Sequence, residues 1–142
     1  MGLGRTTRFA ALPPGARRIS VMRRGAGGLK LLAPSAALLA EFLAAKRALV
    51  RRGLATDAAH AAAHRRLGYR ARYLAELRAR PGAIDALRRV IAEARTRDVY
   101  LMCMCPYRTR GRACHTYALL DLAREVAPEL RRLPEPAPAR VR

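Results

Sequence analysis

A chain of 142 residues holds one domain with a real core and is too short for two. Its net charge of +19 comes almost entirely from arginine, with Lys30 and Lys46 the only lysines, and attracts polyanions: nucleotides, nucleic acid or anionic lipid. Carboxylates number only ten and are scattered, so a glycosidase-type acid/base pair and carboxylate-held magnesium are poorly supported. The positive charge is spread along the chain and not gathered in one block. Genome composition or a hot habitat accounts for it as well as a polyanionic partner does. The longest mainly apolar stretch, 31–45, is broken by Pro34, Ser35 and Glu41 and is short for a membrane span. The N-terminus is too weakly apolar for a signal peptide. Three cysteines crowded near the C-terminus do not form a secreted disulfide framework, so a cytoplasmic location is expected. A Cys105–Cys114 disulfide stays open for a hyperthermophile source.

In chain order, 6–12 (TTRFAAL) reads as a short first strand, ended by Pro13-Pro14-Gly15. Residues 18–23 (RISVMR) alternate and read as a second strand. The glycines at 25, 27 and 28 lack the directly following helix that a phosphate-cradling loop needs, so a turn is expected there. A helix opens after Ser35, a good N-cap, and buries Leu38, Leu39, Phe42, Leu43 and Leu49 before stopping at Gly53. A second helix starts at Thr56 or Asp57 and runs to about Arg78, weakened at Gly68, with His60 and His64 on its leucine-bearing face. A third covers 84–95 with Ile84, Leu87, Val90, Ile91 and Ala94 inward. The apolar run 99–105 is a third strand, and a last helix starts near Cys114 and ends near Ala127. The fold expected is α/β: one compact domain over 1–127, a short, mostly parallel sheet flanked by helices in Rossmann-like layers. Residues 128–142 are Pro-rich and basic and read as a mobile tail.

The chemistry concentrates between strand 99–105 and the last helix. All three cysteines, Cys103, Cys105 and Cys114, lie there with His115, around a loop carrying Arg108, Arg110 and Arg112. In α/β proteins, sites form where strands end and helices begin.

The LAPS sequence at 32–35, the tyrosines at 69 and 73, the Leu-x-Cys strand end at 101–103 and the Cys-His pair at 114–115 together resemble the family known as domain of unknown function 488. The resemblance covers roughly 5–127, and its specific part is the strand cysteine followed by Cys-His. It implies a compact α/β fold with a mostly parallel sheet and no stated activity. The family usually follows Cys-His with Arg, where this chain has Thr116. If that arginine binds an anion, Arg108, Arg110 or Arg112 would have to replace it.

Four readings of the region compete. An anion or nucleotide pocket would use the free amides of the last helix, with Arg108, Arg110, Arg112 and Ser35 as ligand contacts. Thiol chemistry would use Cys103, Cys114 and His115, since a cysteine near a helix N-terminus and arginines is more readily a thiolate. The Cys-x5-Arg spacing of phosphate-cleaving loops is absent, because Thr109 and Gly111 stand where Arg is required. A zinc site would use Cys103, Cys105, Cys114 and His115, although Cys-x-Cys is a less usual zinc spacing than Cys-x-x-Cys. Finally, Cys103 and Cys105, with Met102 and Met104 on the opposite face, are equally good plain core. The leading expectation is a phosphate-bearing ligand, nucleotide or nucleic acid, bound at the strand end. The rivals are a non-catalytic nucleic-acid-binding module using distributed arginines, and a Cys/His metal protein. No cofactor is required by the sequence, and zinc is the one it allows.

Overall fold

A computed structural model describes residues 1–25, 27–105 and 112–137. Three strands, β1 (Gly2–Thr6), β2 (Arg17–Ser20) and β3 (Asp98–Met102), form one sheet in the order β1-β3-β2, both pairings parallel. Gly2 lies opposite Asp98 and Thr6 opposite Met102, while Arg17 lies opposite Val99 and Ser20 opposite Met102. Between β2 and β3 come α1 (Ala36–Arg51), α2 (Thr56–Arg66), α3 (Tyr69–Ala79) and α4 (Ala83–Ala94); α5 (His115–Val126) follows β3. The α/β class with a parallel sheet is as expected. α4 and α5 lie against the sheet, α3 packs on both, and the α1–α2 hairpin leans on α3. The core is continuous from Leu3, Val99 and Leu101 through Leu87 and Ile91 to Leu38, Tyr73 and Leu119.

Several boundaries differ from the sequence reading, among them the second strand, expected over 18–23 and found at Arg17–Ser20. The first strand is 2–6 and not 6–12. Glycine disfavours strands, yet β1 needs two: a Cβ at Gly2 would stand 2.4 Å from the Arg131 carbonyl, and one at Gly4 would stand 2.9 Å from Leu133. These glycines let 131–133 lie along the outer edge of β1, with Leu3 N bonded to Arg131 O and Leu133 N to Leu3 O, each at 2.9 Å. That part of the expected tail is therefore tied to the sheet. The strand at 99–105 ends at Met102, because its partners Thr6 and Ser20 both run out opposite that residue. Met104 beyond it is 53% exposed and is not core. The helix expected over 56–78 is two helices, broken at Gly68 in the left-handed conformation (φ +57°) that glycine tolerates. The glycines at 25, 27 and 28 do make a turn, and Leu29 N closes it on Ser20 O at 2.8 Å.

Ser35 caps α1 as expected: its hydroxyl accepts from Leu38 N at 3.1 Å. The same hydroxyl donates to a Glu76 carboxylate oxygen, and the Ser35 amide donates to the other at 3.0 Å. Ser35→Ala removes both hydroxyl links, so it should cost about 1–2 kcal/mol in chemical denaturation.

Candidate metal centre and adjoining cavity

The end of β3 and the start of α5 bring the three cysteines together. Cys103 and Cys105 lie two residues apart where the chain bends just past the end of β3, and their sulfurs are 3.8 Å apart. Cys114 is the N-cap of α5 in extended conformation, which turns its side chain back toward them. All three sulfurs lie within 4.8 Å of one another. None is disulfide-bonded; Cys103 and Cys114 are buried and Cys105 is half-buried.

His115, the first residue of α5, completes the group. Its Nε2 stands 2.9 Å from the Val21 carbonyl at the end of β2. A carbonyl only accepts, so Nε2 carries a hydrogen and Nδ1 is the nitrogen left facing the sulfurs. Nδ1 lies 3.9 Å from the Cys103 sulfur and 4.0 Å from that of Cys114. Burial opposes charge on both Cys114 and His115. For Cys114, contacts with Cys103, Cys105 and His115 outweigh that penalty and hold the thiol well below its ordinary value. For His115, the neighbouring sulfurs of Cys103 and Cys114 raise the imidazole well above its own. Contacts with Cys103 and Cys114, reinforced by burial, push the Cys105 thiol up. The cluster thus favours negative charge centred on Cys114 with positive charge beside it.

Arg5 supplies more of that positive charge. It is 1% exposed, an unusual place for a guanidinium. Its Nε donates to Thr116 Oγ1 at 2.8 Å, and an Nη donates to the Cys105 carbonyl at 2.6 Å. It also faces Cys114, pairs with Glu135 at 3.5 Å and lies over the Tyr117 ring. Among the described residues, the cation bonded to Thr116 is thus Arg5, from the far end of the chain. Sequence reading passed over Arg5. The available signal was a lone cation inside a short run of small and apolar residues.

The other expected site residues are placed as follows. Arg112 holds a left-handed backbone (φ +53°) and lays its guanidinium 4.9 Å from the Tyr117 ring, close to the site but stacked. Arg108 and Arg110 lie outside the described residues. Ser35 stands with Glu76 and is occupied by its cap, while its neighbour Pro34 lines the cavity described next.

A cavity of about 310 Å³ opens beside the sulfurs. Cys103, Cys105, Cys114 and His115 form one wall. Phe42 and Leu39 of α1 and His60 and His64 of α2 line the cavity as well. His60 Nε2 stands 2.6 Å from the Ala113 carbonyl, so it too carries its hydrogen, and it lies 3.9 Å from the Cys105 sulfur. His60 therefore fixes the chain before Cys114, and the nitrogen it turns toward the sulfurs is already bonded. His64 stacks on Tyr69 with ring centroids 4.4 Å apart, and its Nε2 has no hydrogen-bond partner among the described residues.

Burial, and next the proximity of His60, lower the His64 pKa from 6.5 to about 4. In the unfolded chain the imidazole takes its proton first as pH falls. Stability present above pH 6.5 should therefore decline down to about pH 4 and then level off. The loss should be ~2 kcal/mol after discounting for partial solvent access. Urea titrations across this range should show the slope, and His64→Leu should flatten it.

Among the described residues no helix is long and apolar enough to cross a membrane. A family model for the DUF488-N3a group, described as the active DUF488-N3 subclade, matches residues 16–127. No curated protein matches the chain, and no solved structure does.

Proposed function

The chain belongs to the DUF488 family, and from that premise and the donor set at the strand end we propose that it binds one zinc-class metal ion through Cys103, Cys105, Cys114 and His115. The observation that carries this reading is the convergence of three sulfurs within 4.8 Å of one another. A tetrahedral ion with metal–sulfur bonds of about 2.3 Å places its sulfurs about 3.8 Å apart, and Cys103 and Cys105 are already at 3.8 Å. The Val21 carbonyl fixes the tautomer that leaves His115 Nδ1 as a donor, which is the outer-shell support metal-binding histidines usually have. Three thiolates on a divalent ion leave one net negative charge, and buried Arg5 stands where that charge needs an opposite. Metal binding releases the thiol protons and ties the end of β3 to the start of α5.

The cavity beside the sulfurs takes a phosphate-bearing ligand, a nucleotide or nucleic acid. Of the arginines read from the sequence as anion contacts, Arg112 stacks on Tyr117 and does not line this cavity, and Arg108 and Arg110 lie outside the described residues. Where no metal is bound, Cys103, Cys114 and His115 are the groups available for thiol chemistry. Free thiols and a thiolate-held metal suit a reducing compartment, so we place the protein in the cytoplasm.

Cobalt titration of the metal-stripped protein tests the centre. The expected result is one equivalent giving the intense sulfur-to-cobalt band and the visible bands of a tetrahedral site, displaced by zinc and weakened in Cys103→Ser. Weak, octahedral-type bands unaffected by that change would refute it.

A further inference from the structure

The 310 Å³ cavity has a composition that the metal centre does not explain. Lys46 of α1 and Arg23 and Arg24, which follow β2, all line it. Among the described residues no carboxylate lines it, although Asp and Glu neutralise many arginines elsewhere on the surface. Arg23 donates to the carbonyls of Pro34 and Lys30, which leave its charge uncompensated. Lys46 and Arg24 have no carboxylate partner among the described residues. Three cations without a carboxylate partner among the described residues, all lining one cavity, favour an anionic occupant.

Part of the remaining lining is aromatic. Phe42 meets His60, His64 and Tyr69 edge-on at 4.9, 5.9 and 5.4 Å, and His64 lies flat on Tyr69. Such a wall suits a planar ring. Among the described residues His64 Nε2 is buried and has no hydrogen-bond partner. A heteroaromatic ring carries the N–H or lone pair to meet that nitrogen once the imidazole turns toward the cavity, and an alkyl chain does not. The volume is at the low end of the roughly 300–1,000 Å³ of small-molecule sites, enough for one ring system with a short arm.

We infer that the cavity is a mononucleotide site, with the base against the Phe42–His60–His64 wall and the phosphate on Lys46, Arg23 and Arg24. This deepens the phosphate-ligand reading above and rests on it. It moves the phosphate contacts from the loop arginines to residues that sequence reading did not single out, and it gives the base to α1 and α2.

Calorimetric titration of the protein as purified, with its metal, distinguishes the two levels. The probes are the four common nucleoside monophosphates, ribose 5-phosphate and inorganic phosphate. At least one nucleotide should bind about tenfold or more tighter than ribose 5-phosphate, a difference of ~1.4 kcal/mol. Lys46→Met, which keeps an unbranched apolar stem at a half-buried helix position, should weaken nucleotide and ribose 5-phosphate alike. His64→Leu should weaken the nucleotide only. Equal binding of nucleotide and ribose 5-phosphate would overturn the base inference and leave the phosphate reading standing. Binding that His64→Leu leaves unchanged would overturn the base inference too, and binding that Lys46→Met leaves unchanged would overturn the phosphate placement. No binding of any probe would overturn both readings.

Discussion

Cys114→Ser is expected to lower metal content from about one ion per chain to about a tenth or less. Cys114 is the central donor: it approaches His115, it caps α5, and its thiol is the one whose surroundings most favour the thiolate. Serine keeps the size, and its hydroxyl is a good N-cap group where the Cys114 thiol makes no cap bond. It removes the soft ligand a zinc-class ion prefers. The helix should therefore survive while the centre fails. The stability readout separates these effects. Chelation should destabilise the unmodified protein by about 3–4 kcal/mol, the linkage expected for an ion present well above its dissociation constant. Cys114→Ser should start near that lower stability and show no further response to chelator. A variant that keeps its metal and its chelator response would mean that Cys114 packs as a small hydrophobe and nothing more.

Arg5→Met should be the most damaging single change outside the metal ligands, costing about 3–5 kcal/mol in urea denaturation. Methionine fills the volume with a flexible apolar chain, so the cost is mainly electrostatic. The Cys105 carbonyl and Thr116 hydroxyl each lose a donor, and Glu135 loses its partner. The thiolate cluster also loses a counter-charge, so metal affinity should fall with stability. Arg17→Met is the control. Its pair with Glu93 is closer, at 2.6 Å, but exposed, and such pairs contribute about 0–1 kcal/mol. Equal, small effects for the two changes would remove Arg5 from the centre.

The cysteine region was legible because two periodicities meet there. An apolar run short enough for a strand passes through a polar loop into helical spacing, and that order alone put Cys103, Cys105, Cys114 and His115 at one strand end. The parallel α/β layering followed from the same alternation. Other features depend on contacts between distant parts of the chain. β1 was unreadable because its two glycines, a signal against a strand, exist to admit residues 131–133 alongside it. Arg5 was unreadable because burial of an arginine is decided by partners about a hundred residues away, Cys105 and Thr116. The break at Gly68 showed only as a possible weakness, since whether a glycine interrupts a helix depends on what the two halves pack against. His60 and His64 did share a helix face, but only the fold shows that the first is bonded to Ala113 and the second is left with an unmet nitrogen.

The most direct measurement is the metal content of untagged protein purified without chelator, read by mass-spectrometric elemental analysis alongside titration of its free thiols. The account predicts about one zinc-class ion per chain, with Cys103, Cys105 and Cys114 shielded from thiol reagent until the ion is removed. A chain free of metal that fails to take up added zinc, with folded-state thiols that react unchanged in its presence, would contradict it.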